Sequence, residues 1–98
     1  MRILIVEDDA AFAAQLVRSL QRRGHALWNA TDPAGALMLA RMHAPDAVLI
    51  DLKLGEQSGL QLVEPLRALL PSARLVMLTG YASVATAVEA MRRGLDDY

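Results

Sequence analysis

Three oxygen-bearing positions close apolar runs: Glu7-Asp8 after Ile3-Leu4-Ile5-Val6, Asp51 after Ala47-Val48-Leu49-Ile50, and Thr79 after Leu75-Val76-Met77-Leu78. If the runs are parallel strands, all three endings open on one rim, because ligands of open α/β sheets bind outside the carboxyl ends of the strands. Adjacent carboxylates repel each other unless a positive charge lies between them. A hard cation relieves that repulsion. Mg²⁺ prefers an octahedron of oxygens, keeps several waters, and is usually held by one or two carboxylates plus a phosphate. Asp8 and Asp51 would bind it directly and Glu7 through water, with the backbone carbonyl of Lys53 completing the protein's share.

Taken singly, each of these residues has a plainer use. An aspartate after a strand, such as Asp8 or Asp9, more often caps a helix. Asp51, ahead of a glycine-containing loop, could be an ordinary turn residue, and Thr79 a strand residue or the cap of the next helix. Together they suggest more. A carboxylate can attack a phosphoryl group to give an aspartyl phosphate, with the metal neutralising the charge. Asp51 is the candidate nucleophile, and Thr79 would offer its hydroxyl to a phosphoryl oxygen.

The elements that must position these residues follow from periodicity. Arg2 to Val6 is a short apolar run of the kind buried on both faces of a parallel sheet. From Ala10 to Arg23, Phe12, Ala13, Leu16, Val17 and Leu20 recur at helical spacing, with Asp9 placed to cap and Gly24 beyond the end. His25 to Ala30 is a weaker strand, and Thr31-Asp32-Pro33 starts a helix that runs to His43 and stops before Pro45. Ala47 to Ile50 is the third strand. A loop from Asp51 to Gln57 leads to Ser58, placed to cap a helix from Gly59 to about Leu70. Pro65 falls inside that helix, where it should remove a donor and kink the element at a cost of about 3 kcal/mol.

Arg74 to Leu78 is the fourth strand. Ser83 then caps a helix with Val84, Ala87, Val88 and Met91 on one face, ended by Gly94, and Leu95 to Tyr98 reads as a fifth strand beginning. Strict alternation of strand and helix implies a parallel sheet with right-handed crossovers and helices on both faces. The expected arrangement is one α/β domain over residues 1–98.

Composition narrows the function classes. The 98 residues are 54% apolar and 21% charged, with a net charge of -1, the profile of a folded domain and not of a disordered chain. There is no basic surplus of the kind that marks nucleic-acid binding. The absence of cysteine excludes disulfides and thiolate chemistry. No apolar stretch approaches the roughly 20 residues needed to span a bilayer, and Glu7-Asp8-Asp9 interrupts any signal-like start. The expected location is cytoplasmic, without membrane contact. His25 and His43 lack ligand spacing and read as surface residues, and Trp28 reads as packing near a sheet edge.

The order and spacing of several fragments resemble the receiver domain of two-component response regulators over the whole chain. They are Ile3-Leu4-Ile5-Val6-Glu7-Asp8-Asp9, Val48-Leu49-Ile50-Asp51-Leu52-Lys53-Leu54-Gly55 with Ser58-Gly59-Leu60, Leu78-Thr79-Gly80-Tyr81, and Gly94-Leu95-Asp96-Asp97-Tyr98. Leu78 to Ala90, with Glu64-Pro65-Leu66-Arg67-Ala68-Leu69, is similar more narrowly to the redox-responsive regulators of the RegA, PrrA and ActR group. The resemblance implies a flavodoxin-like, doubly wound sheet of order 2-1-3-4.

It also implies a switch. Asp51 would take a phosphoryl group from a histidine of a sensor kinase, while Glu7, Asp8, Asp51 and the Lys53 carbonyl hold Mg²⁺. Thr79 would turn inward to the phosphate, and Tyr98 would be the switch aromatic. The output would be a DNA-binding domain outside this chain, so no direct nucleic-acid contact is expected of these residues.

In the family a phosphate-pairing lysine follows the switch aromatic by about three residues, and the chain stops before it; Lys53 is its one lysine. On that basis the sequence reads as a receiver lacking its fifth strand and helix, which should bind metal better than it signals. The fourth strand would then be an exposed edge, expected to pair or exchange elements with a second copy to cover Leu75, Val76, Met77 and Leu78. Two rivals differ in class. An aspartate-nucleophile phosphohydrolase usually carries a second acid two residues on, where this chain has Lys53, so an enzyme is not expected. A switching-incompetent fragment serving only in association or dimerisation is the alternative.

Overall fold

The computed structural model describes residues 1–78 and 84–97. Strand β1 (Arg2–Val6) leads to helix α1 (Ala10–Arg22), β2 (Ala26–Ala30) to α2 (Pro33–His43), and β3 (Ala47–Asp51) to a small antiparallel hairpin of β4 (Lys53–Leu54) and β5 (Gln57–Ser58). A 3-10 turn over Gly59–Leu62 opens α3 (Val63–Leu69), and β6 (Arg74–Leu78) precedes α4 (Val84–Arg92). The main sheet has the order β2-β1-β3-β6 with every pair parallel. This is the flavodoxin-like 2-1-3-4 order, its fourth long strand being β6 because the hairpin intervenes.

Side chains of successive strand residues point to opposite faces, and the apolar runs use both. Leu4, Val6, Val48, Ile50, Leu75 and Met77 form one cluster with Ala36 and Ala40 of α2 and Val63 and Leu66 of α3. Ile3, Ile5 and Ala47 form another, packed against Leu16, Val17 and Leu20 of α1. Register then levels the strand ends. Val6 lies opposite both Ala30 and Ile50, and Asp51 opposite Leu78, so the residues after β1 and at the end of β3 emerge side by side.

Helix starts follow the capping chemistry read from sequence. The Asp9 carboxylate accepts from the Phe12 N–H at 3.1 Å, and Asp32 accepts from Gly35 at 2.7 Å, each satisfying a donor that the first helical turn leaves unpaired. Trp28, on edge strand β2, packs against the first cluster and stacks on His43 at 4.3 Å. The Arg2 guanidinium lies 4.8 Å from the Trp28 ring and donates to the His43 carbonyl. Among the described residues no helix is long and apolar enough to cross a membrane.

Four expectations need correction. The stretch from Asp51 to Gln57 contains β4 and part of β5 and is not a plain loop. The helix expected from Gly59 begins as a 3-10 turn and becomes α-helical only at Val63. Pro65 therefore occupies the first α-helical turn, where backbone donors lack intrahelical acceptors anyway, and the expected kink does not arise. In α4, Val88 and Met91 are 53% and 43% exposed, whereas Ala90 is fully buried. Periodicity grouped Val88 and Met91 on one face without assigning that face to the core, and the small side chain of Ala90 is the one that meets it.

The fourth correction concerns the edge of the sheet. Leu75 and Met77 are 0% and 1% exposed within the single chain, so half of the residues expected to need a second copy are already covered. Val76 and Leu78 are half-buried. Alongside β6, Asp97 forms a parallel bridge with Val76, and the Met77 N–H donates to the Asp97 carbonyl at 3.1 Å. The incipient fifth strand is present up to Asp97. The Ser83 cap lies outside the described residues.

Candidate functional site

β1 ends in Val6, and the next two residues carry their carboxylates beyond the sheet; β3 ends in Asp51 itself. One carboxylate oxygen from each of Glu7, Asp8 and Asp51 lies within 4.8 Å of the other two. Glu7 is 4% exposed, Asp51 is half-buried and Asp8 is exposed. The cluster thus opens outward through Asp8 and is closed off behind Glu7.

Each acid is held by backbone amides. The Gly55 N–H donates to Asp8 Oδ2 at 2.8 Å, the Lys53 N–H to Asp51 Oδ1 at 3.1 Å, and the Asp9 N–H to Glu7 Oε1 at 3.2 Å. The β4-β5 hairpin therefore orients two of the three carboxylates through its own main chain. Its far end is anchored where the Gly59 N–H donates to the Leu52 carbonyl at 2.7 Å. A side chain at Gly59 would collide with the Asp51 carbonyl oxygen and approach Ile50 Cγ2 to 2.9 Å. Only glycine lets the chain pass this close to the end of β3.

Electrostatics set Glu7 apart. Burial first, then its hydrogen bond and charge repulsion with Asp51, push its carboxyl up to about 8. A proton is held where three acids meet, which is the sign of a site short of positive charge. The donor set is all oxygen and rich in charge, which suits a hard divalent ion and not a thiophilic metal.

The sequence-derived candidates Glu7, Asp8 and Asp51 thus come together, and Lys53 lies exposed in β4 beside them. Thr79 and Tyr98 lie outside the described residues. Gly59 and the amide of Gly55 were not singled out for these roles by composition or spacing. A signal existed in Ser58-Gly59 following an acidic strand end, since a glycine there suggests close approach of two backbones.

Known proteins are similar to this chain in sequence and in fold. The family model for the response regulator receiver domain matches residues 3–98. The chain is 41% identical over 96 residues to the acid tolerance regulatory protein ActR of Sinorhizobium medicae, covering 98% of this chain and 50% of that protein. It is 41% identical over 96 residues to the photosynthetic apparatus regulatory protein RegA of Rhodobacter capsulatus, covering 98% of this chain and 52% of that one. The chain thus spans about half the length of these curated relatives.

Among solved structures, a response regulator from Burkholderia pseudomallei superposes with a TM-score of 0.96 at 45% identity, covering 99% of this chain and 57% of that one. That protein carries a phosphorylated aspartic acid, a calcium ion and citrate. A CheY-like receiver domain protein from Methanospirillum hungatei gives 0.93 at 32% identity, covering 99% of this chain and 78% of that one. The strand order, the converging acids and the match over nearly every residue agree, and the chain belongs to the response regulator receiver domain family, with relatives in the ActR and RegA group.

Proposed function

We propose that Asp51 accepts a phosphoryl group from a histidine of a sensor kinase, with Mg²⁺ held by Glu7, Asp8, Asp51 and the backbone carbonyl of Lys53. The observation that carries this is the approach of the three carboxylates to within 4.8 Å at the ends of adjacent strands. Opposite or divergent acids could not share one ion. Bound there, Mg²⁺ would neutralise the oxygens of the transferring group.

The chain's own residues do the rest. An Asp51 oxygen forms the new bond to phosphorus as the bond to the donor imidazole breaks, and the freed imidazole takes a proton. The Lys53 amide, already donating to Asp51 Oδ1, fixes the orientation of the carboxylate that attacks. Thr79 would then donate its hydroxyl to the phosphoryl group, and Tyr98 would change position with it, shifting a pre-existing equilibrium. The protein on this reading is a cytoplasmic switch for a DNA-binding output region and not an enzyme acting on outside substrates. Phosphorylation of Asp51 in a related regulator's manner is supported by the phosphorylated aspartic acid carried by the Burkholderia protein.

Incubation with acetyl phosphate and Mg²⁺ tests the proposal. Peptide mass spectrometry should find one base-labile phosphoryl group on Asp51, absent from Asp51→Asn and from samples treated with a chelator. A folded protein that takes up no phosphoryl group, or takes it up elsewhere, would overturn it.

A further inference from the structure

Arg67 of α3 ties the end of its own helix and the turn before β6 to the segment that follows α4. Its Nη1 donates to the carbonyls of Ala73, Pro71 and Leu70 at 2.7, 3.1 and 3.3 Å. Its Nε and Nη2 both reach the Gly94 carbonyl, at 3.1 and 2.9 Å, and Nη2 also pairs with the Asp96 carboxylate. The side chain is three-quarters buried, and its whole planar fork is engaged. A lysine could not reproduce this, because its ammonium is a compact point charge without the five-donor plane.

Asp96 passes the restraint to the sheet. Its Oδ2 accepts from the Leu75 N–H of β6 at 2.7 Å, taking the place that a backbone carbonyl of a neighbouring strand would fill. This hydrogen bond and the Arg67 charge hold the Asp96 carboxyl below the usual carboxylate range. One step on, the Asp96 N–H donates to the Leu75 carbonyl at 2.8 Å, and the Asp97 bridge to Val76 begins. Gly94 has φ of +113° and its carbonyl is occupied by Arg67, so it is not offered to β6.

We infer that Arg67 is a positioning residue: acting through Asp96 and the Gly94 carbonyl, it fixes the register at which the segment after α4 joins β6. A slip of one residue would reverse every side chain in that segment, exposing Leu95, now 5% exposed, and turning Asp96 inward. Without the guanidinium, both the Gly94 carbonyl and the Asp96 carboxylate become available for other pairings. The inference deepens the switch reading above, on which its functional meaning rests, because Tyr98 follows this segment in sequence.

Amide hydrogen exchange followed residue by residue tests it on the whole chain. Arg67→Ala should speed exchange at the Met77 and Asp97 amides by about tenfold or more while leaving Ile5 and Leu49 protected, and Arg67→Lys should not restore it. Asp96→Ala, which leaves the bonds of Arg67 to the α3 end untouched, should do the same, and the double variant should add little to either single one. Asp96→Asn, which keeps an acceptor for Leu75, should fall between. Unchanged protection at Met77 and Asp97 in the Asp96→Ala protein, or full rescue by Arg67→Lys, would overturn the inference. Acetyl phosphate labelling of Asp51 in the same variants reports on the switch reading separately: loss of label in the unsubstituted chain would sink that reading while the exchange data still decide the register.

Discussion

Glu7 and Asp51, at the ends of adjacent strands, meet as a hydrogen-bonded pair of acids in which the glutamate is buried and holds its proton up to about pH 8. Burial and a neighbouring carboxylate act in the same direction on Glu7, and a divalent ion would oppose both.

Without metal, stability should fall as pH rises from the ordinary glutamate value of 4.5 to about 8. The folded chain holds a proton on Glu7 that the unfolded chain has released across this window, so folding takes up a proton and loses ground as protons become scarce. Urea unfolding at pH 5.5 and at pH 8.5 in chelator should give the lower midpoint at the higher pH, and saturating Mg²⁺ should flatten the difference. A metal-free midpoint that rises across the same window would contradict the assignment to Glu7.

Glu7→Gln copies the protonated side chain and keeps a hydrogen-bonding partner for Asp51. The variant should lose most of this pH dependence and, lacking a charge at the cluster, bind Mg²⁺ about tenfold or more weakly, in line with the electrostatic cost of about 1.4 kcal/mol per tenfold. Thermal melts across the pH range, with and without the ion, measure both effects.

Gly59→Ala should destabilise the fold by about 2 kcal/mol or more, the scale of overpacking in a site that cannot relax, because the new Cβ meets the main-chain oxygen of Asp51. Since that oxygen belongs to the phosphoacceptor residue, labelling by acetyl phosphate should fall as well. Chemical unfolding and the labelling yield check the two parts; a fully stable variant with normal labelling would show that the loop has room to move.

Pro65→Ala should change stability by no more than about 1 kcal/mol, the range expected from unfolded-state entropy alone. In a helix interior the same substitution would recover about 3 kcal/mol. Equilibrium unfolding distinguishes the two, and a gain near the larger figure would mean that the helix extends back through the 3-10 turn.

The main sheet was legible because its strands are continuous apolar runs, which leave little choice of period: Arg2 to Val6 and Arg74 to Leu78 were read with the bounds they have. The convergence of Glu7, Asp8 and Asp51 followed from the parallel topology alone. Other features had no such pattern. The β4-β5 strands are two residues each, too short for alternation to register. The direction of the α4 face depends on how closely Ala90 can approach the core, which spacing does not carry. Arg67 acts mostly on main-chain carbonyls, and carbonyls are the same at every residue, so no partner type marks the site in the sequence. The protonation of Glu7 depends on burial behind the cluster, known only once the chain is folded.

Calorimetric titration of Mg²⁺ near pH 7, in two buffers of different ionisation enthalpy, tests most directly whether Glu7, Asp8 and Asp51 act as one site. One ion should bind with release of close to one proton from Glu7, and Asp8→Asn and Asp51→Asn should each weaken it strongly. Binding that releases no proton and survives both substitutions would place the ion elsewhere and leave the acidic cluster without the role given to it.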